Sequence, residues 1–232
     1  MGRQKIAIIG LGQFGMPLAQ RLTEQGAEVL GIDTNAERVE LLRDKIAHAV
    51  ILDTTDIRAL RQLELHDFDA VVVAIGDNFE ASLLTTAHLQ ELKVKRIISR
   101  VLSPVHERLL KLMKVTELII PEGEAASHMA RRLSLKGVIE HLDISDEYSL
   151  VEAEMPKWAC GKTIQEIDLR RKYKLNLITV LRKKNEEESL AQGKKAAKTV
   201  LGIPDGNLKF SAEDILVLFG HNDDIREFLA SV

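Results

Sequence analysis

Lys5-Ile-Ala-Ile-Ile-Gly-Leu-Gly-Gln-Phe-Gly15 is the stretch whose reading decides the fold. Lys5 to Gly10 is a short, isoleucine-rich apolar run ending in glycine, the pattern of a strand buried on both faces in a parallel sheet. Gly10, Gly12 and Gly15 follow at G-x-G-x-x-G spacing, at the head of a helix predicted over Phe14 to Gln25. In that helix Leu18, Ala19 and Leu22 recur at helical spacing, Pro17 lies near the start where a missing N–H costs least, and Gly26 closes it. The next strand, Glu28 to Asp33, ends in an acid 18 residues after Gly15. A bare glycine pattern is weak evidence. Set between a strand and a helix, with an acid closing the second strand, it points to an adenine nucleotide site of the Rossmann type.

Each residue type has a physical reason there. Gly10 allows the turn, Gly12 lets the backbone approach a diphosphate, Gly15 lets the helix lie near the sheet, and the helix N-terminus supplies N–H donors. Asp33 accepts the ribose hydroxyls, and its carboxylate disfavours the 2'-phosphate of NADP. NAD, ATP, ADP and AMP share the adenosine half, so these residues do not separate them.

The alternation continues outward from this unit. Strands are predicted over Ala49 to Leu52, Ala70 to Ile75, Arg96 to Val101 and Glu117 to Ile120, and helices over Ala36 to Arg43, Asp56 to Leu63, Phe79 to Leu92 and Val105 to Met113. Six strands alternating with helices predict an α/β fold with a doubly wound parallel sheet, because parallel neighbours need crossover connections. A helix, Glu124 to Leu135, follows Pro121 and carries Ala125, Ala126, Met129, Ala130 and Leu133 on one face, which packs locally or crosses to another subunit. Beyond it come strands Ile139 to Ile144, Ser149 to Met155, Asn176 to Leu181 and Ile215 to Phe219, with helices Thr163 to Arg171 and Asp223 to Leu229. This is a small α+β domain, so the chain divides into residues 1–135 and 136–232. Lys183 to Asn207, polar and rich in lysine, reads as a solvated, mobile loop without assigned function.

Bulk properties narrow the function classes. The 232 residues are 45% hydrophobic and 29% charged, too apolar for disorder, and the 4% aromatic content predicts aliphatic cores. A formal charge of -3 gives no overall electrostatic reason to bind nucleic acid or an anionic membrane. The lone Cys160 has no internal disulfide partner, and the N-terminus runs straight into a strand without a signal peptide, which places the chain in the cytoplasm. No apolar stretch approaches the roughly 18 to 20 residues that span a bilayer.

Catalysis finds little support. A dehydrogenase needs an acid or base beside the nicotinamide, yet no Tyr-x-x-x-Lys pair exists and the second domain is small for a substrate domain. The seven histidines, at 48, 66, 88, 106, 128, 141 and 221, lack metal-ligand spacing and read as surface or capping residues.

With Gly10-Leu-Gly-Gln-Phe-Gly15, Asp33-Thr-Asn35, Leu52-Asp-Thr-Thr-Asp56, Ala74-Ile-Gly76 and Asp143-Ile-Ser-Asp-Glu-Tyr-Ser149 in order, the chain resembles the KtrA/TrkA family along essentially its whole length. The resemblance implies a Rossmann-type N-terminal RCK domain followed by a small C-terminal RCK domain. It implies a cytosolic, nucleotide-sensing, non-enzymatic subunit that gates potassium uptake, assembled as a ring of dimers, an octamer, on a KtrB- or TrkH-like membrane channel. Carried over by position, Gly10, Gly12 and Gly15 cradle phosphates, Asp33 and Asn35 hold the ribose with Arg38 close by, and Asp53 and Thr54 flank the adenine. Gln13, Phe14, Thr34, Thr55, Ala74, Ile75 and Gly76, from the same motifs, complete the binding set. Arg100 matches a basic position near the phosphates, and Glu122 an acid that helps hold a divalent cation or sodium there.

Two positions bear on ligand choice. Family members that sense ATP carry arginine between the second and third glycines, where this chain has Gln13, so a contact worth roughly 1.5–3 kcal/mol is missing and ADP, AMP and NAD stay open. The segment Lys162 to Tyr173, with Arg170, is similar to one that binds cyclic di-AMP in some relatives, although Gln165 replaces an apolar residue there. An ordinary capped surface helix is the competing reading of that segment. From another class, the alternative for the whole chain is a small NAD-dependent oxidoreductase. A nucleotide-sensing transcription factor lacks a basic helix-turn-helix segment.

Overall fold

The predicted first strand, β1 (Lys5–Ile9), lies in the middle of a six-stranded parallel sheet. Its companions are β2 (Glu28–Asp33), β3 (His48–Ile51), β4 (Ala70–Val73), β5 (Ile97–Arg100) and β6 (Glu117–Ile119), in the spatial order β3-β2-β1-β4-β5-β6. The chain builds outward from β1 to β3, then returns to place β4 on the other side of β1. Neighbouring crossovers therefore leave in opposite directions at the carboxyl ends of β1 and β4, which opens a crevice there. The structure is a computed structural model that describes residues 2–115, 117–134, 136–183 and 198–230. It divides into two compact units, Met1–Glu124 and Ala125–Val232.

Successive side chains of a strand point to opposite faces, so a strand covered on both faces is apolar throughout. On one face Ala7, Ile9, Val71 and Val73 pack with Leu60, Leu65 and Leu89, from α3 (Ile57–Arg61), the 3-10 turn Leu65–Asp67 and α4 (Phe79–Glu91). On the other, Ile8, Val29, Val72 and Ala74 pack with Ala19, Val39 and Leu42, from α1 (Gly15–Glu24) and α2 (Ala36–Leu42). Within the first unit four helices start on side-chain caps that accept backbone N–H groups: Asn35 for α2, Asp56 for α3, Asn78 for α4 and Ser103 for α5 (Pro104–Leu112). Helix α6 spans Pro121–Ser134, three residues earlier than the predicted start, because Pro121 itself opens it where its fixed φ suits a first turn. The division between the units falls inside α6, whereas the sequence reading divides the chain after residue 135.

The second unit is built on a five-stranded antiparallel sheet: β7 (Val138–Asp143), β8 (Tyr148–Glu154), β9 (Asn176–Lys183), β10 (Lys198–Val200) and β11 (Ile215–His221), ordered β10-β9-β11-β8-β7. The single helix predicted over Thr163 to Arg171 is two short ones, α7 (Ile164–Ile167) and α8 (Leu169–Lys172), broken at Asp168, whose φ of 51° is left-handed. Helix α9 spans Asn222–Ala230. Strand β10 lies in the stretch read as a loop; residues 184–197 of that stretch lie outside the described residues. The core is less aliphatic than the composition suggested, since Phe210 and Phe228 are buried and Trp158, Tyr173 and Phe228 meet with ring centroids 5.1–6.1 Å apart. The few aromatics are concentrated here.

His106, read as a surface or capping residue, is fully buried at the start of α5, where Nδ1 accepts the Leu102 N–H at 3.1 Å and Nε2 has no partner. Burial holds its pKa below the ordinary 6.5. Between those two values the unfolded chain binds more protons, so stability is lost as pH falls through 6.5 toward the folded value. A single such group contributes at most about 1.4 kcal/mol per pH unit. Chemical denaturation at pH 7.5, 6.5 and 5.5 is expected to show a falling midpoint, with a flatter fall in His106→Gln. An identical slope in the variant would assign the effect elsewhere, with His141, also lowered by burial, the next group to test.

Candidate functional site

The crevice at the carboxyl ends of β1 and β4 is a cleft of about 910 Å³. Its floor is the glycine turn, and the three glycines are needed for different reasons. Gly10 has φ +93°, and a Cβ there would stand 2.9 Å from the Ile75 nitrogen. A Cβ on Gly15 would lie 1.9 Å from the Gly10 carbonyl oxygen, so α1 packs against the turn only because that position has no side chain. Gly12 is different: nothing described lies within 4 Å of where its Cβ would stand, and its φ is outside the left-handed region. The protein itself does not require glycine at 12, and the open space is part of the cleft.

Asp33 is 7% exposed at the end of β2, and its carboxylate organises the site from within. Oδ2 accepts the Leu11 N–H at 2.6 Å, tying β2 to the glycine turn, and faces Arg38 Nη1 at 3.4 Å; Oδ1 accepts the Asn35 N–H at 2.8 Å. Two carboxylate oxygens offer about four acceptor positions, so room remains for a ligand hydroxyl. Asn35, expected at the ribose, spends its side-chain oxygen capping α2 through the N–H groups of Glu37 and Arg38. Thr34 is exposed on the cleft wall beside it.

The other side of the cleft comes from two loops. In the first, Asp53 Oδ1 accepts both the N–H and the hydroxyl of Thr55, at 2.9 and 2.7 Å, and Thr54 is buried with its hydroxyl 2.7 Å from that of Thr85 on α4. The Thr54 hydroxyl therefore anchors the loop. In the second, Ala74, Ile75 and Gly76 leave β4 along the cleft and are followed by Asp77, Asn78 and Ala81, which also line it. Those three had no signal in the sequence beyond the Asn78 cap, because the turn into α4 brings them round. Gln13 is exposed on the wall, whereas Phe14 packs against the core cluster of Ile8, Leu11 and Ala19 and Gly15 is buried; neither lines the cleft. What Phe14 and Gly15 have for a ligand is backbone at the head of α1.

Arg100, at the end of β5, closes the far end of the cleft. Its guanidinium lies against Gly76, where a Cβ would come within 2.4 Å of Nη1, and Nη2 donates to the carboxylate of Glu122 in the first turn of α6. Glu122 lines a second cleft of about 500 Å³, which also contains Arg100 and Gly76. The Glu122 carboxylate is held by Arg100, and no group of three or more His, Cys, Asp or Glu placed to hold a metal ion occurs among the described residues. In the second unit, the Arg170 guanidinium is held by Asn176 Oδ1 at 3.0–3.1 Å, Thr163 and Glu166 form a capping box on α7, and Gln165 lies against Gly206.

Residues 6–121 match the TrkA-N domain. Over 226 residues the chain is 34% identical to Ktr system potassium uptake protein C of Bacillus subtilis (strain 168), covering 97% of this chain and 96% of that protein. It is 33% identical over 231 residues to Ktr system potassium uptake protein A of the same organism, covering 98% of each. A solved structure described as the GsuK channel bound to NAD superposes on the whole chain with a TM-score of 0.62 at 19% identity, a likeness in fold. This chain spans 40% of that one.

Proposed function

Because this chain belongs to the TrkA-N domain family, among the KtrA/TrkA proteins, we propose that it is the nucleotide-sensing regulatory subunit of a potassium uptake system of the Ktr/Trk type. Its partner is an integral-membrane KtrB- or TrkH-like subunit, which holds it at the inner face of the membrane. No helix among the described residues is long and apolar enough to cross a membrane, so docking is left to that partner.

Gly12 carries the ligand reading. Glycine is present where the protein leaves space for a side chain, at the floor of a cleft headed by the N-terminus of α1. A helix N-terminus offers unpaired N–H groups and a partial positive charge, which suit phosphate oxygens. In this reading Gly10, Gly12, Gln13 and Gly15 form the phosphate turn, Asp33, Thr34, Asn35 and Arg38 the ribose edge, and Asp53, Thr54 and Thr55 the adenine side. Ala74, Ile75, Gly76 and Arg100 complete the wall. The ligand is ATP, ADP, AMP or NAD. We assign no catalytic step to the ionisable side chains on the cleft, Asp33, Arg38, Asp53, Asp77 and Arg100.

Regulation needs differential affinity, since a nucleotide that binds two shapes equally shifts neither. We place the second shape in the assembly. The α6 face of Ala125, Ala126, Met129, Ala130 and Leu133, counted to a first domain of residues 1–135, is exposed, with Met129 at 48% and Leu133 at 80%. A second copy is the covering partner in the ring of dimers that the resemblance implies.

Two measurements on the wild type test this together. Calorimetry is expected to show adenine nucleotide binding, with ATP and ADP within about 10-fold of each other because Gln13 brings no charge, a difference below roughly 1.4 kcal/mol. Sedimentation at micromolar concentration is expected to show a dimer or larger. A monomer, or no binding of any adenine nucleotide, would overturn the reading.

A further inference from the structure

Arg100 is a largely buried charge at the end of β5. Its side chain is 16% exposed, and among the described residues its buried Nε has no hydrogen-bond partner and its one ion pair is with Glu122, which is 66% exposed. A buried guanidinium N–H left unpaired is costly, so the group is under-satisfied as it stands. Arg100 also lines both clefts, and the Gly76 backbone along its flank holds it between them.

Resting on the nucleotide reading above, we propose that the Arg100–Glu122 pair is a specificity latch: Glu122 is an internal anion that a ligand's terminal phosphate displaces from Arg100. The phosphate next to the ribose meets the glycine turn after β1. Arg100 stands after β5, two strands further along the sheet, so only a ligand with phosphates beyond the first reaches it. Its guanidinium reaches back to Gly76 after β4, so the charge itself stands one strand spacing, roughly 5 Å, beyond the glycine turn. AMP therefore binds with the latch closed, while ADP and ATP compete with Glu122. Opening frees a carboxylate in the first turn of α6, where it had been held to the sheet, and so passes ligand identity on to that helix.

The sign of one substitution separates this from a cation-holding role for Glu122. Glu122→Gln removes the competing charge and its repulsion of phosphate, so ATP affinity, measured with a chelator present, is expected to rise about 3-fold to 10-fold. AMP affinity is expected to stay within about 2-fold, and the ATP gain to shrink with added salt. Adding Arg100→Gln to Glu122→Gln is expected to abolish the gain. Amide exchange at residues 122–126 of the wild type is expected to quicken with ATP and not with AMP. Unchanged or weaker ATP binding by Glu122→Gln, or equal gains for AMP and ATP, would overturn the latch while AMP binding upholds the site. Failure of the wild type to bind any of these nucleotides would remove both.

Discussion

Replacing Gly12 with valine is expected to reduce adenine nucleotide affinity by at least about 100-fold, or roughly 2.7 kcal/mol, while the fold stays within about 1 kcal/mol of the wild type. The Cβ meets no protein atom within 4 Å and the backbone is not left-handed, so the folded chain accepts it; the branched side chain then stands in the cleft. Gly15→Ala is the matched control, because its Cβ would lie 1.9 Å from the Gly10 carbonyl oxygen and 3.3 Å from the Ala74 Cβ. Backbone cannot yield there without separating α1 from the sheet. A loss of about 3 kcal/mol or more is expected. Calorimetry with ADP and urea denaturation of both variants decide the matter. Wild-type affinity in Gly12→Val would mean that no ligand phosphate approaches the turn, and an unperturbed Gly15→Ala would contradict the packing.

The second large effect lies in the other unit. Asp214 is buried ahead of β11, its two oxygens bonded at 2.7 Å to Nε and Nη2 of Arg182 on β9, and its Oδ2 also accepts the Ser211 N–H at 2.8 Å. Arg182 also donates to the Lys209 carbonyl at 3.3 Å. Arg182→Ala leaves a buried carboxylate with one backbone donor, and breaking such a pair from one side costs about 3–5 kcal/mol. Replacing both partners, Arg182→Met with Asp214→Leu, removes the stranded charge and is expected to recover most of that loss. Denaturant midpoints of the single and double variants measure it. A single variant within about 1 kcal/mol of wild type would mean that water reaches Asp214.

These effects follow different kinds of information. The parallel sheet was legible because burial on both faces leaves a strand no polar positions, and runs such as Ala70 to Val73 then have few other readings. The alternation of such runs with periodic helices did the rest. The caps were not read from the sequence: Asn35 was assigned to the ribose and Asp56 to the body of its helix, and both side chains cap. The break at Asp168 was not legible either, because a helical spacing of apolar residues continues across it while one left-handed residue turns the chain. Strand β10 was hidden in a lysine-rich stretch, since an edge strand exposed on its surface has no apolar signature.

The site divides in the same way. The order Gly10, Gly12, Gly15 and Asp33 was determined by the sequence, because each is required by backbone geometry within one β-α-β unit. Which of those glycines the protein needs, and which it leaves open, depended on atoms of Ala74 and Ile75 far along the chain. Only the tertiary structure decided that Phe14 faces the core, that the Thr54 hydroxyl is bonded to Thr85, and that Asp77 and Asn78 line the cleft. It alone paired Arg100 with Glu122 across 22 residues. Local periodicity reports what a residue does for its own strand or helix. Contacts between elements depend on how the crossovers bring their ends together, and one chain segment carries no record of the charge that will face it.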